Sequence, residues 1–352
     1  MFEEVLFEQK GQLGVITLNR PSALNALTLP MILEMQKQLL LWKEDDAIHA
    51  VVLIAAPGKA FCAGGDVRWL YNAGKAHDPQ QMQFFWHEYR LNHFIHHLGK
   101  PYISLIDGMS MGGGVGVSLH GSHPVASERF VFAMPETTIG FFPDIGASYL
   151  LHRCPGSLGI YLALTGQRLG AEEAKKAGLV KYLVASESLP DLFEDLISAD
   201  LSEQASLRVD RCIERHQSPS KSEALKPFNP LIDVCFSEPT VEGILDALNS
   251  SDESWGLEVG NDLLKKSPLS LKVTLAQLQK TKSQYLAECL KTDYKLARHF
   301  MQGSDFYEGV RALLVDRDQN PQWQPFSLVL VSESRVQGYF EGSGLELEFI
   351  SA

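Results

Sequence analysis

Three consecutive glycines, Gly112-Gly113-Gly114, interrupt an otherwise apolar segment spanning residues 110–119. Glycine loses more conformational freedom on folding than any other residue. A run of three is therefore costly unless the chain uses what glycine alone allows, a positive φ or an approach with no Cβ in the way. An apolar strand-like segment (102–106) precedes the run, and a small apolar helical segment (115–119) follows it. A strand, a glycine turn and a helix start in that order present free backbone N–H groups, which suit a phosphate or a developing oxyanion. A tight turn with close helix packing is the alternative reading. Two other stretches favour the first: Phe61-Cys62-Ala63-Gly64-Gly65-Asp66 upstream, and Met134-Pro135-Glu136 with Pro143-Asp144 downstream.

The pattern around these stretches predicts alternating strands and helices. Residues 5–8 and 13–18 flank Lys10-Gly11-Gln12 and read as a hairpin. Residues 50–55 are continuously apolar, as suits a strand covered on both faces. Further strands are expected over 102–106, 130–133 and 181–184. Thr28 is placed to cap a helix over 31–43 with Pro30 in its first turn, and Asp66 to cap the helix that follows it. Helices are also expected over 81–98, 144–151, 158–165 and 171–177. This alternation predicts an α/β core with crossover connections. After about residue 186 the strand signal fades, and segments 189–197, 201–215, 241–248, 257–264, 268–279 and 285–301 read as helices. The expected organisation is a core carrying the site over 1–200 and a mainly helical region over 201–352. Residues 216–230, rich in proline and serine, read as a loop or linker.

The chain has 352 residues, more than one hydrophobic core usually serves, and a net charge of −12. That charge argues against a nucleic-acid partner, while leaving room for a local basic pocket. Five dispersed cysteines without CxxC spacing predict reduced thiols and no metal site. Cys62 has no partnering histidine motif and reads as a packing residue. No apolar run approaches the roughly 18 residues of a membrane span, so no membrane partner is expected. The acidic start, Glu3-Glu4, is unlike a signal or transit peptide. A cytoplasmic location fits; an organellar one fits if a presequence has been removed.

The chemistry converges on few residues. Backbone N–H groups near Gly65 and Gly113, from separate turns, could meet on one oxygen. Such an oxyanion hole is worth about 2.7–4 kcal/mol per donor once water is excluded. Glu136 and Asp144 supply carboxylates eight residues apart in an apolar setting of Met134, Ile139, Phe141 and Phe142. A carboxyl group there should have a raised pKa and could act as base, acid or nucleophile. Taken alone, Glu136 reads as a helix-start carboxylate and Asp144 as an N-cap. His120 and His123 lack a neighbouring carboxylate and read as part of a structural turn. The glycine run lacks the lysine and hydroxyl that follow a P-loop glycine.

These segments resemble the crotonase (enoyl-CoA hydratase/isomerase) superfamily along nearly the whole chain. The resemblance rests on Asn19-Arg20-Pro21 with Asn25-Ala26-Leu27, on the Gly64-Gly65 loop, and on Lys100-Pro101 through Gly114. It also rests on Thr165-Gly166, Ala171-Glu172-Glu173-Ala174 and Gly178-Leu179-Val180. It implies a spiral of ββα units with a helical C-terminal region. It also implies an acyl-CoA thioester whose carbonyl oxygen lies on the N–H groups of Gly65 and Gly113, and no separate cofactor, CoA being part of the substrate. Hydratases of this pattern carry a catalytic glutamate three residues after the second oxyanion glycine, where this chain has Gly116. The second hydratase glutamate corresponds to Glu136.

Within the superfamily, the chain is most similar to the 3-hydroxyisobutyryl-CoA hydrolase family. This likeness rests on Phe132-Ala133-Met134-Pro135-Glu136-Thr137, Phe142-Pro143-Asp144 and Asp305-Phe306-Tyr307-Glu308-Gly309-Val310-Arg311-Ala312. It implies substrate contacts at Glu88, Gly113, Glu136 and Asp144. The expected reaction is hydrolysis of a short 3-hydroxyacyl-CoA thioester. Glu136 either attacks the carbonyl or activates water, and Asp144 holds the substrate hydroxyl or orients water. The alternatives are hydration or double-bond isomerisation through Glu136 alone, or a catalytically silent acyl-CoA-binding protein. Superfamily relatives often form trimers, so a homo-oligomer is one expected assembly; a longer helical region folding back on its own core is the other.

Overall fold

The computed structural model describes residues 3–218, 229–251, 253–342 and 344–350. The hairpin forms as expected: β1 (Val5–Lys10) and β2 (Leu13–Leu18) pair antiparallel, with Lys10 opposite Leu13. Thr28 caps α1 (Leu29–Glu44), its hydroxyl accepting from the Met31 N–H at 3.4 Å. Strand β3 (Ala50–Ala55) then runs parallel to β2.

Three strand–strand–helix turns follow. Strand β3 leads to β4 (Ala60–Cys62), α2 (Val67–Lys75) and α3 (Gln80–His96). Strand β5 (Tyr102–Ile106) leads to β6 (Met109–Met111) and α4 (Gly113–Leu119). Strand β7 (His123–Ala126) leads to β8 (Val131–Ala133), α5 (Ala147–Leu151) and α6 (Leu158–Thr165). The chain closes with β9 (Leu169–Gly170), α7 (Ala171–Lys176) and β10 (Tyr182–Leu183). The first strand of each turn joins a six-stranded sheet ordered β1-β2-β3-β5-β7-β10, and the second joins a four-stranded sheet ordered β4-β6-β8-β9. This is the expected spiral. All neighbours are parallel except β1–β2 and β8–β9.

The six-stranded sheet is covered on both faces, which explains the unbroken apolar run of β3. Val15, Val52, Ile103 and Val125 meet α8 (Leu189–Ser198) and α9 (Ala205–His216). Ile16, Val51, Leu53 and Tyr102 point to the opposite face, into the cluster that includes α1 and α3. Past α9 come α10 (Leu231–Phe236), α11 (Val241–Ser250), α12 (Ser254–Leu263), α13 (Pro268–Lys280), α14 (Leu286–Gln302), α15 (Asp305–Val310) and α16 (Glu333–Gly338). Helix α14 packs along α3, and α13 along α6. A π-helical turn, Arg311–Val315, extends α15. Most of the expected linker at 216–230 lies outside the described residues.

Two expectations fail locally. Strands β4, β6, β7 and β9 lie outside the expected ones; they are only two to four residues long, β6 runs directly into the glycine turn and β7 contains Pro124. The helix expected over 144–151 begins only at Ala147, because Ile145 and Gly146 are both left-handed, with φ 56° and 72°. Asp144 is therefore not an N-cap, and its side chain is free for another role.

Candidate active site

The two glycine turns meet. In the first, Asp66 caps α2 by accepting from the Trp69 N–H at 3.0 Å, so Gly65 lies at the mouth of that helix. In the second, Gly112 takes φ 46°, ψ −123°, a conformation that favours glycine, and turns β6 into α4. A Cβ built on Gly113 would lie 3.3 Å from the Gly65 nitrogen, so the two peptide groups are adjacent. Among the described residues neither N–H is donated to a protein acceptor. Gly114 serves packing: a Cβ there would collide with the Cys62 carbonyl oxygen, so α4 can approach β4 only without one. Cys62 itself is buried, and burial pushes its thiol up to about 12, as suits a packing residue and not a nucleophile.

Three carboxyl groups close on the same point. Glu88 comes from the middle of α3, where it is 2% exposed among Phe84, Phe85 and Tyr89. Its Oε1 occupies the place where a Gly113 side chain would begin, and has no hydrogen-bond partner among the described residues. Glu136 opens a short 3-10 turn after β8 and is 7% exposed. Its Oε1 lies 2.9 Å from where a Gly112 Cβ would stand, and its Oε2 is unpartnered. Asp144 is 6% exposed and accepts from the Tyr89 hydroxyl at 2.7 Å.

Burial raises the pKa of all three. Glu88 and Glu136 are held well above the ordinary glutamate range, first by loss of water and then by neighbouring negative charge, from Asp144 on both and from Glu136 on Glu88. Asp144 is pushed up to about 7 by burial, against the opposing effect of the Tyr89 hydrogen bond. The cation acting on Glu136 is Lys266, itself buried and held by Thr138 Oγ1 at 2.6 Å. Like charges so close cannot all ionise at once, so the site holds protons near neutrality.

These residues line a cavity of about 750 Å³ walled by Leu70, Phe84, Phe85, Ile139, Phe141 and Phe306. All five sequence-selected positions, Gly65, Glu88, Gly113, Glu136 and Asp144, face it. Among the basic residues, Arg68 and Arg20 line it, but Arg20 is paired with Asp66 at 2.9 Å and Glu4 at 3.0 Å. Lys100 instead donates to the Trp42 and Asp45 carbonyls, and Arg311 is bound by Glu308, Asp316 and Asp318. Arg317, not picked out from sequence, is at the rim beside Arg68; Arg68 Nη2 donates to the Leu314 carbonyl at 2.5 Å, and Arg317 Nε to the same oxygen at 3.5 Å. Neither arginine has a carboxylate partner among the described residues.

His120 and His123 point to different places. His120 Nε2 meets the Ile145 carbonyl at 2.7 Å, and His123 Nε2 lies 3.3 Å from Asp210. Tyr89, Gln277 and Asp293 were missed by sequence reasoning. The available signal was polarity out of place: Asp293 falls among Cys289, Leu290, Leu296 and Ala297 on the buried side of α14, where an unpaired aspartate would be costly.

The enoyl-CoA hydratase/isomerase family model matches residues 13–340. The chain is 45% identical over 347 residues to the mitochondrial 3-hydroxyisobutyryl-CoA hydrolase of Homo sapiens, covering 97% of this chain and 89% of that one. The Danio rerio protein of the same name is 45% identical over 342 residues, with 96% and 89% covered. Among solved structures, a carnitinyl-CoA dehydratase from Mycobacterium thermoresistibile matches with a TM-score of 0.90 at 36% identity, covering 99% of each chain. An enoyl-CoA hydratase from Rhodobacter sphaeroides 2.4.1 matches with a TM-score of 0.86 at 34% identity, covering 96% and 97%. The names of these relatives divide between thioester hydrolysis and the addition or removal of water.

Proposed function

The chain belongs to the enoyl-CoA hydratase/isomerase family, and from that premise we propose that it hydrolyses 3-hydroxyisobutyryl-CoA to 3-hydroxyisobutyrate and CoA, a step of valine catabolism. The observation that carries this reading over hydration is position 116. A Cβ on Gly116 would lie 2.8 Å from the Asn92 amide of α3, so the position where a hydratase bears its first glutamate has no carboxylate here and is packed against Asn92. Beside Glu136 the site carries Asp144 and, one helical turn before Asn92, Glu88.

In this reading the N–H groups of Gly65 and Gly113 receive the thioester oxygen and stabilise the oxyanion as the carbonyl carbon becomes tetrahedral. Glu136 either attacks that carbon, giving a mixed anhydride, or takes a proton from the water that does. The C–S bond breaks, and the CoA sulfur leaves with a proton from the protonated carboxyl groups nearby; on the anhydride route a water then adds to the acyl carbon and breaks its bond to the Glu136 oxygen, releasing 3-hydroxyisobutyrate and restoring the Glu136 carboxylate. Asp144 and Glu88 accept from or donate to the 3-hydroxyl and the short acyl group.

A thiol-release screen over short acyl-CoA esters tests the function. Free thiol should appear fastest with 3-hydroxyisobutyryl-CoA and not at all with crotonyl-CoA. Loss of crotonyl-CoA absorbance without thiol would favour hydration, and binding without turnover of either ester would favour a silent acyl-CoA binder.

The phosphates of CoA need cations on a chain of net charge −12. Arg68 and Arg317, convergent on one carbonyl and free of carboxylates, are the proposed contacts. Arg68→Ala and Arg317→Ala should each raise KM for the CoA ester about fivefold, the value of one exposed charge-assisted contact near 1 kcal/mol. The effect should vanish with the pantetheine thioester, which lacks those phosphates; an equal KM rise with both substrates would remove the arginines from this role.

Five free, buried cysteines support a reducing compartment. The two named hydrolases are mitochondrial, and no helix among the described residues is long and apolar enough to cross a membrane. A reducing interior such as the cytoplasm or the mitochondrial matrix satisfies both.

A further inference from the structure

Asp144 stands on a turn that the residues around it disfavour. Ile145 is β-branched yet left-handed, with φ 56°. Such a conformation is strained for a β-branched residue and persists only where its surroundings over-determine it. Gly146 follows at φ 72°, and a Cβ there would lie 2.5 Å from Leu286 Cδ1.

Three buried side chains hold this turn, each from a different element. Gln277 of α13 donates through Nε2 to the Pro143 carbonyl at 3.0 Å. His120, the C-cap of α4, meets the Ile145 carbonyl at 2.7 Å. Asp293 of α14 accepts the Gly146 N–H on Oδ2 at 2.7 Å. Gln277 Nε2 also donates to Asp293 Oδ1 at 2.7 Å, so these two side chains orient each other. Burial keeps His120 neutral, and because a carbonyl only accepts, its single proton sits on Nε2. His120 thus ties the far end of α4 to the turn that bears Asp144, while the near end of α4 supplies the Gly113 N–H.

We propose that Asp293, Gln277 and His120 are positioning residues that hold the Asp144 carboxyl in register with the oxyanion N–H groups; this rests on the proposed thioester hydrolysis. The strain at Ile145 explains why three bonds are present: without them the turn relaxes and carries Asp144 away. In Asp293→Asn the new amide oxygen can still accept from Gly146, but the new NH2 then faces the Gln277 NH2. Flipping Gln277 would turn its carbonyl against that of Pro143. One bond of the clamp is lost either way.

The test combines kinetics with hydrogen exchange on the full chain. Asp293→Asn should lower kcat about 10–100-fold, the scale of an ångström-level misplacement, with KM within about threefold. His120→Leu should do the same, while His120→Gln, which retains an N–H donor, should recover most of the rate. The double variant Asp144→Asn/Asp293→Asn should be no slower than Asp144→Asn alone. Amide exchange in the segment 140–151 should accelerate at least about tenfold in Asp293→Asn and His120→Leu. Losses that multiply in the double variant, or His120→Gln as slow as His120→Leu, would overturn the proposal. If Asp293→Asn fails to fold, the His120 pair carries the test. If the parent protein releases no thiol from any ester, the hydrolase reading falls, and exchange alone judges the clamp: rates unchanged in both variants would refute it.

Discussion

Glu136→Gln is expected to lower kcat at least about a thousandfold while leaving KM for the CoA ester within a few-fold. Glutamine matches glutamate in shape, so the cavity wall and the two glycine N–H groups stay in place. What is lost is the carboxylate that either attacks or accepts a proton, and losses of that size follow removal of a nucleophile or general base. The geometry favours Glu136 over Asp144 for this effect. Glu136 lines the cavity and its Oε2 is buried without a partner among the described residues, whereas Asp144 is already engaged by Tyr89. The pH profile supplies a second check. Glu136 must be ionised to act, and burial and Asp144 raise its pKa, so kcat/KM of the parent should climb with rising pH along a limb displaced well above the ordinary value of 4.5. Turnover by purified Glu136→Gln at the parental rate would remove Glu136 from the chemistry.

Much of this site is legible in the sequence because its residues break local rules. Gly64 and Gly112 are visible because they take positive φ, and Gly114 because a Cβ would strike a neighbouring carbonyl. Glu136 and Asp144 stand out as charges among phenylalanines. The caps of α1 and α2 are readable from Thr28 and Asp66, since capping is local chemistry. What stays hidden depends on partners distant in the chain. Asp144 reads as a cap because aspartate before a helical segment usually is one; its bond to Tyr89 spans 55 residues, and that from Gly146 to Asp293 spans 147. Ile145 gives no sign that it will be left-handed, since that conformation is imposed from outside the turn. Arg317 is an ordinary surface arginine until the π-turn before it presents the Leu314 carbonyl to both it and Arg68. The short strands β4 and β6 exist because the four-stranded sheet receives them, not because three residues prefer extension.

The same burial that tunes the carboxyl groups should make the site a liability to the fold, and Asp144→Asn should measure it. Asp144 has a folded-state pKa of about 7 against an ordinary 3.8. Between those values the folded chain binds more protons than the unfolded one, so stability falls as pH rises through that window and is flat above it. A shift of this size corresponds to at most about 4 kcal/mol at pH 8. Asparagine keeps an oxygen to accept from Tyr89 and carries no charge. Asp144→Asn should therefore be more stable than the parent at pH 8, by about 1–3 kcal/mol, with a melting temperature higher by several degrees. Most of that gain should disappear near pH 4, where the parent's carboxyl is protonated in the fold. Glu136→Gln should behave alike, since its pKa is raised in the same direction by the same cause. Thermal denaturation of parent and variants at the two pH values decides the matter. A gain independent of pH would point to packing and not to charge. A loss at pH 8 would mean that hydrogen bonds to the ionised carboxylate outweigh its desolvation. The expected combination, a slower enzyme that melts later only where its carboxylates would be charged, would mark these groups as held in the fold for their chemistry at a cost to stability.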